Sequence, residues 1–191
     1  MITQKQRCGW CVGDPLYEAY HDEEWGVPLY DDLKLFEFLI LETFQAGLSW
    51  ITILRKRENF RAAFQRFDPD IISAWGDKET ETLLQNAGIV RHRGKIEGAF
   101  TSARAWKIID NDQGFSNFIW NFVNGAPIQN TWHDLSEVPS KTAIAEALSK
   151  ALKKSGFKFC GPTITYAFMQ ATGLVNDHVL TCPQHPQNQR R

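Results

Sequence analysis

No stretch of this 191-residue chain approaches the roughly 18–20 consecutive apolar residues that cross a bilayer. The opening Met1-Ile2-Thr3-Gln4-Lys5 lacks the apolar core of a secretory signal. Cysteine is scarce: the four present are too few and too scattered for the disulfide framework of a secreted domain. Net charge is nearly absent as well, −1 at pH 7, so the total alone does not mark a nucleic-acid binder. Internal repeats, low-complexity tracts and a clear linker are missing. No segment alternates polar and apolar with the period of two that a half-buried strand requires. These absences leave a cytoplasmic protein with reduced thiols and no membrane partner. It is expected to be one domain over residues 1–191, formed of two helical lobes.

What is present is a core. Hydrophobic residues make up 43% and aromatics 13%, which is a globular composition. Helical spacing recurs along the chain. Asp31-Asp32 can cap a helix through Leu33, Phe36, Ile40 and Leu41, and Ser49 another carrying Trp50, Ile53, Leu54, Phe60 and Phe64. Asp68-Pro69 and Asp77 read as starts of short helices, and Phe115–Val123 as a helix ending near Asn124-Gly125. Ser140 is expected to open the most periodic helix, stopped by Gly156, with Pro162–Ala171 following. The expected fold class is all-α.

Charge is unevenly spread. Residues 1–50 hold nine acids against Lys5, Arg7 and Lys34, a net −6, so the remainder carries +5. The basic stretches are Arg91-His92-Arg93-Gly94-Lys95, with Arg104 and Lys107, and Lys150, Lys153, Lys154 and Lys158. The first lies in Leu83–Ile96, which reads as helix, tight turn, helix. Gly88 is expected to supply a positive φ there. Free N–H groups at the second helix start, with Arg91, Arg93 and Lys95, suit a DNA phosphate and carry no base information. A solvated turn between helices is the plainer reading of the same residues.

Two ends of the chain carry metal-ligand types: Cys8 and His21 near the start, His178 and Cys182 near the finish. A spacing of four puts the last two on one face if the segment is a helical turn. Two thiolates and two imidazoles form the ligand set of a tetrahedral structural zinc. Cys8-Gly9-Trp10-Cys11 is also a C-x-x-C, which leaves Cys11 open as an alternative ligand or redox partner. Between Cys8 and Gly26, Trp10, Tyr17, Tyr20 and Trp25 crowd a short, turn-like acidic segment, and Trp50 follows Gln45-Ala46-Gly47-Leu48-Ser49. Rings gathered with a carboxylate attract a flat cation, and Glu42 is the carboxylate placed there.

Eight blocks then occur in order. They are Arg7-Cys8-Gly9-Trp10, Asp14-Pro15-Leu16-Tyr17, Tyr20-His21-Asp22, Glu24-Trp25-Gly26-Val27-Pro28, Gln45-Ala46-Gly47-Leu48-Ser49-Trp50, Gly88 to Ile96, Gly156-Phe157-Lys158-Phe159 and Gly173-Leu174-Val175-Asn176-Asp177-His178. Together they resemble the 3-methyladenine DNA glycosylase I family across essentially the whole chain. The resemblance implies a helix-hairpin-helix DNA glycosylase fold whose structural zinc joins the N- and C-terminal segments. It implies Cys8, His21, His178 and Cys182 as zinc ligands, with Cys11 left to packing or as a free thiol. It places Glu42 as the catalytic carboxylate and Trp10, Tyr17, Tyr20, Trp25 and Trp50 around the substrate. Gln45, Gly47 and Leu48 would wedge into the duplex, and Gly88, Arg91, Arg93 and Lys95 would hold the backbone.

The implied activity is monofunctional excision of N3-methyladenine from double-stranded alkylated DNA by a monomer, with free 3-methyladenine as product. The family lacks the Asp that follows the hairpin in most of the wider superfamily. Two rival classes remain. A silent damage-binding protein would not need Glu42, and a zinc-stabilised interaction module would not need Tyr17, Tyr20 and Trp50 together.

Overall fold

The computed structural model describes residues 6–189; Met1–Lys5 and the last two residues lie outside that range. Asp14 opens the first helix, α1 (Pro15–Glu23), by accepting from the Leu16 and Tyr17 N–H groups, with Pro15 in its first turn. The segment expected to be turn-like is therefore mostly helical, because a capping acid followed by proline is a helix start. Helix α2 (Asp32–Gln45) is capped by Asp31, whose carboxylate accepts from Lys34 N at 2.8 Å. It is buried nearly all round from Leu35 to Phe44 and forms the centre of the fold. After a break at Ala46 and Gly47, the latter with φ 83°, comes α3 (Trp50–Ala63). Ser49 stands at its N-cap, but its hydroxyl pairs with Thr52 Oγ1 rather than the backbone.

The short helices α4 (Pro69–Ile72) and α5 (Asp77–Leu84) precede the longest, α6 (Arg93–Gln113). Helix α7 (Phe115–Trp120) runs into a 3-10 turn that ends on Asn124 and Gly125, both with positive φ. Helix α8 (Ala143–Lys154) is capped by Thr142, whose hydroxyl accepts from Ala145 N at 3.2 Å. Ser140 is thus corrected as the cap: two capping residues lie two apart, and the second closes the bond. Helices α9 (Pro162–Ala171) and α10 (Pro186–Gln189) complete the set. Strands β1 (Ile128–Gln129) and β2 (Val175–Asn176) pair in parallel, Ile128 opposite Val175 and Gln129 opposite Asn176. Two residues cannot display an alternation, so the sequence pattern hides them.

Helix α2 packs against α3, α6, α7 and α9, and α8 lies along α9. One contiguous core of buried side chains runs from Tyr20 to Val175, and a smaller cluster joins Cys8, Val179 and Cys182 under Trp10, Trp25, Trp132 and Leu135. Arg55 pairs with Asp14, and Arg57 chelates Glu24 at 2.6 and 2.8 Å, so both ends of α1 are fastened to α3. The chain after α9 returns under Trp25–Leu29: Gly26 N–H donates to Gln170 O (2.9 Å) and Leu29 N–H to Thr172 O (3.0 Å). A Cβ at Gly173, where φ is 69°, would collide with the backbone of Val27 and Pro28, so only glycine fits. Among the described residues no helix is long and apolar enough to cross a membrane.

Candidate active site

Elements from both ends of the chain close a pocket of about 380 Å³. Its lining includes Trp10, Tyr17, Tyr20 and Trp25 from around α1, Glu42 and Gln45 from the last turn of α2, and Trp50 from the first turn of α3. Trp10 lies 4.7 Å from Tyr17 and 5.1 Å from Trp25 between ring centroids, and Tyr20 lies 5.5 Å from Trp50. Spacings of this size with tilted rings are favourable aromatic contacts, so the cage packs itself. The i, i+3 spacing of Tyr17 and Tyr20 on α1 explains why both face the same space. Every ring expected at the substrate is brought here, and Gln45, expected as a wedge, also lines the pocket.

Three polar atoms on the α2–α3 side of this pocket are buried with no protein partner. Glu42 is 2% exposed, and its Oε2 makes no hydrogen bond; burial alone pushes its carboxyl pKa well above the ordinary range. Gln45 Oε1 and Trp50 Nε1 are buried and equally unpartnered. A buried polar atom without a partner costs about 1–3 kcal/mol. Three such atoms at one cavity point to a flat ligand with complementary edges.

Sequence reasoning did not find the far wall. Leu135, Val138, Ala167, Gln170 and Asp177 all line the pocket. Asp177 is fully buried and accepts four hydrogen bonds from neutral donors. Asn130 Nδ2 and Trp132 Nε1 donate to Oδ1, both at 2.7 Å; Tyr166 O–H (2.6 Å) and Gln170 Nε2 (2.8 Å) donate to Oδ2. Its place beside His178 in a conspicuous block was the available sign.

Behind the cage, Cys8, His21, His178 and Cys182 are all buried, and their ligand atoms lie within 4.8 Å of one another. Cys182 Sγ is 3.5 Å from both His21 Nε2 and His178 Nδ1, and Cys8 Sγ is 3.7 Å from His178 Nδ1. The other ring nitrogens are taken: His21 Nδ1 by Asp22 (2.8 Å), His178 Nε2 by the Trp25 carbonyl (3.0 Å). This arrangement assigns the tautomers and turns a lone pair of each imidazole toward the thiols. The Cys8 thiol pushes the Cys182 pKa down; burial opposes this, and the two imidazoles reinforce it. Asp22 is itself held by Arg7. The segment bearing His178 and Cys182 is not helical, as their spacing had suggested; it is a turn closed by Cys182 N–H to Val179 O at 2.8 Å. The Cys11 thiol points away and donates to Cys8 O.

Residues 10–185 match the profile of the methyladenine glycosylase family. The chain belongs to this family. DNA-3-methyladenine glycosylase 1 of Escherichia coli (strain K12) is 55% identical over 184 residues, covering 96% of this chain and 98% of the relative. A crystal structure of 3-methyladenine DNA glycosylase I superposes with a TM-score of 0.93 at 55% identity, covering 95% of this chain and all of the other. A Staphylococcus aureus 3-methyladenine DNA glycosylase I, solved to define its 3-methyladenine recognition, superposes at 0.91 with 38% identity over 96% and 98% of the two chains.

In this methyladenine glycosylase family member the basic segment after α5 differs from the sequence expectation. Gly88 has no positive φ; a Cβ there would lie 2.9 Å from Asn86 Oδ1 and 3.1 Å from Asn59 Cβ, so a side chain would require both asparagines to shift. Arg91 is exposed, and Arg93, also exposed, pairs with Glu81 and Glu97. His92 caps α6 through its ring, accepting from Lys95 N at 3.2 Å. Lys95, expected to face a phosphate, turns inward: its ammonium donates to Phe44 O (2.9 Å) and Ala46 O (2.7 Å). Arg104 and Lys107 are engaged near α4, with Ser73 O and Trp75 O and with Asp70. The turn between α8 and α9 lies against α6, where the Phe159 ring would meet a Cβ at Gly94 or Gly98. There Lys158 is exposed, and Phe159 is 44% exposed with a positive φ of 57°.

Proposed function

We propose that the protein is a monofunctional DNA-3-methyladenine glycosylase acting in base excision repair. It flips N3-methyladenine out of double-stranded alkylated DNA and releases the free base by hydrolysis. The observation that carries this reading is the Glu42 carboxyl, buried without a partner in a cage of five aromatic rings. Alkylation at N3 makes the base cationic and weakens its bond to the sugar, so the leaving group needs little further activation. Unstacking costs a few kcal/mol and is recovered in the pocket. The rings stack on the flat cation while Glu42 ionises against it, which favours the alkylated base over neutral adenine by about 1–3 kcal/mol. Water attacks C1′ as the base departs. Among the described residues no lysine lines the pocket, in keeping with a reaction that forms no imine.

The four-residue cluster is read as a structural zinc site. Ligand atoms about 2.0–2.3 Å from a central ion stand about 3.3–3.8 Å apart at tetrahedral angles; the Cys182–His21, Cys182–His178 and Cys8–His178 separations of 3.5–3.7 Å fall in that range, and all four ligand atoms lie within 4.8 Å of one another. Four protein ligands leave no position for a catalytic water, so a bound ion cross-links the ends and supplies no reaction step. Cys8 and Cys182 would bind as thiolates, and Asp22 and the Trp25 carbonyl orient the imidazoles.

The helix-hairpin-helix grip on DNA is read as a shared surface. Leu48, 43% exposed next to Gly47, forms the wedge with Gln45. Arg91 and Arg93 meet the backbone beside Lys158 and Phe159. The last pair is favoured by the strained, exposed aromatic at the tip of the α8–α9 turn. The chain is read as one domain, since its core is contiguous from α1 to β2, and as acting as a monomer, since every residue assigned to the pocket comes from this one chain.

Incubation with methylated duplex DNA, followed by chromatography of the released bases, tests the activity. Release of 3-methyladenine is expected, and its absence overturns the proposal.

A further inference from the structure

Lys95 is the one member of the basic segment that faces inward. It is 7% exposed, yet neither contact of its ammonium is to an acid; both are to carbonyl oxygens where α2 ends. Desolvation pushes its pKa down, which marks the placement as costly. A cation at a helix C-terminus satisfies carbonyls that have lost their intrahelical donors and meets the negative end of the dipole. The segment it holds is short. Ala46 leaves helical geometry, Gly47 has φ 83°, and Leu48 N–H bonds back to Gln45 O. On one side of this loop stands Glu42, one turn back; on the other stands Trp50. At the opposite end of Lys95 are Arg91, His92 and Arg93, exposed at the start of α6.

We propose that Lys95 is a positioning residue that locks the Gln45–Leu48 loop to the first turn of α6. DNA docked on that turn thereby sets the wedge and the Glu42 face of the pocket in register. This rests on the glycosylase reading above and assigns Lys95 no contact with DNA. A rigid link of this kind affects the reaction through geometry, where a displacement near 1 Å costs about a hundredfold in rate.

The test compares Lys95→Met, which keeps the stem and loses the donors, with Lys95→Arg, which keeps charge and donors. Each is assayed by single-turnover excision from a duplex carrying one 3-methyladenine, by fluorescence titration with free 3-methyladenine, and by thermal melting. Lys95→Met is expected to lower the excision rate about tenfold or more while leaving free-base affinity within about twofold, and Lys95→Arg to recover most of the rate. An unchanged rate in Lys95→Met overturns the proposal. So does a parallel fall in rate and free-base affinity, which a merely structural role would give. If Lys95→Met does not fold, Lys95→Gln, with one amide donor group, must show the same split in smaller degree or the proposal fails. Wild-type protein that releases no 3-methyladenine refutes the glycosylase reading instead, so the two failures are distinguishable.

Discussion

The aromatic pocket and the Cys–His cluster share helix α1 and treat their polar atoms in opposite ways. In the pocket, Glu42 Oε2, Gln45 Oε1 and Trp50 Nε1 are buried and unpartnered. In the cluster each imidazole has its outer nitrogen occupied, leaving only inward lone pairs that converge with the thiols. Unmet hydrogen-bonding capacity spread around a ring-lined cavity suits a ligand that comes and goes. Capacity focused on a point, with its rear side secured, suits an ion that stays.

The comparison breaks most visibly at the cluster. Cys182→Ala should abolish stoichiometric zinc and cost about 4 kcal/mol, roughly 8–16 °C in Tm for a chain of this size, measured by metal analysis and calorimetry. Full zinc content in that variant would refute the ligand set. Glu42→Gln should lower single-turnover excision of 3-methyladenine about a hundredfold, near 2.7 kcal/mol, with zinc retained. Wild-type rates would remove Glu42 from the mechanism. Asp177→Asn should touch both regions at once, because an amide N–H₂ would face groups that themselves donate. About 2 kcal/mol of stability should be lost, with weaker 3-methyladenine binding in fluorescence titration.

A smaller effect follows from linkage. The Glu42 carboxyl pKa is raised by burial, so the folded protein holds a proton that the unfolded chain releases once pH passes the ordinary carboxylate value. Its contribution to stability therefore falls as pH rises from there toward the raised pKa. Glu42→Gln should gain Tm relative to wild type at pH 7–8 and little near pH 4, where both states are protonated. An equal difference at both pH values would contradict a neutral buried carboxyl. Least affected should be Cys11→Ser, which keeps a donor to Cys8 O; zinc content should hold, with a stability change within about 1 kcal/mol. Zinc lost there but kept in Cys8→Ala would move the ligand from Cys8 to Cys11.

How far the sequence could be read depended on whether a feature is local. Asp31 before an apolar helix and Gly156 after one act within a few residues, and both were visible. The aromatic cage was legible because its rings sit on one short segment and the start of α3. Ser140 and Thr142 were indistinguishable as caps because each is competent; only the backbone path chooses between them. Lys95 read as a surface cation because its partners, Phe44 O and Ala46 O, lie about fifty residues back and are backbone atoms with no sequence signature. Gln170 and Asp177 were missed as pocket walls because the packing of α9 against α2 and the return of the chain after α9 bring them there. His178 and Cys182 converged as expected through a turn that is not a helix.

The two sites also constrain how α1 can change length. Tyr17 and Tyr20 face the pocket, while His21, the very next residue, faces the cluster. Each helical residue advances about 100° around the axis. One residue inserted between Tyr20 and His21 would swing the imidazole off its sulfur while leaving both tyrosines in place. Between Tyr17 and Tyr20 it would break up the rings instead. Substitutions on the outer face of α1 have room for drift, whereas insertions and deletions between Tyr17 and His21 have none.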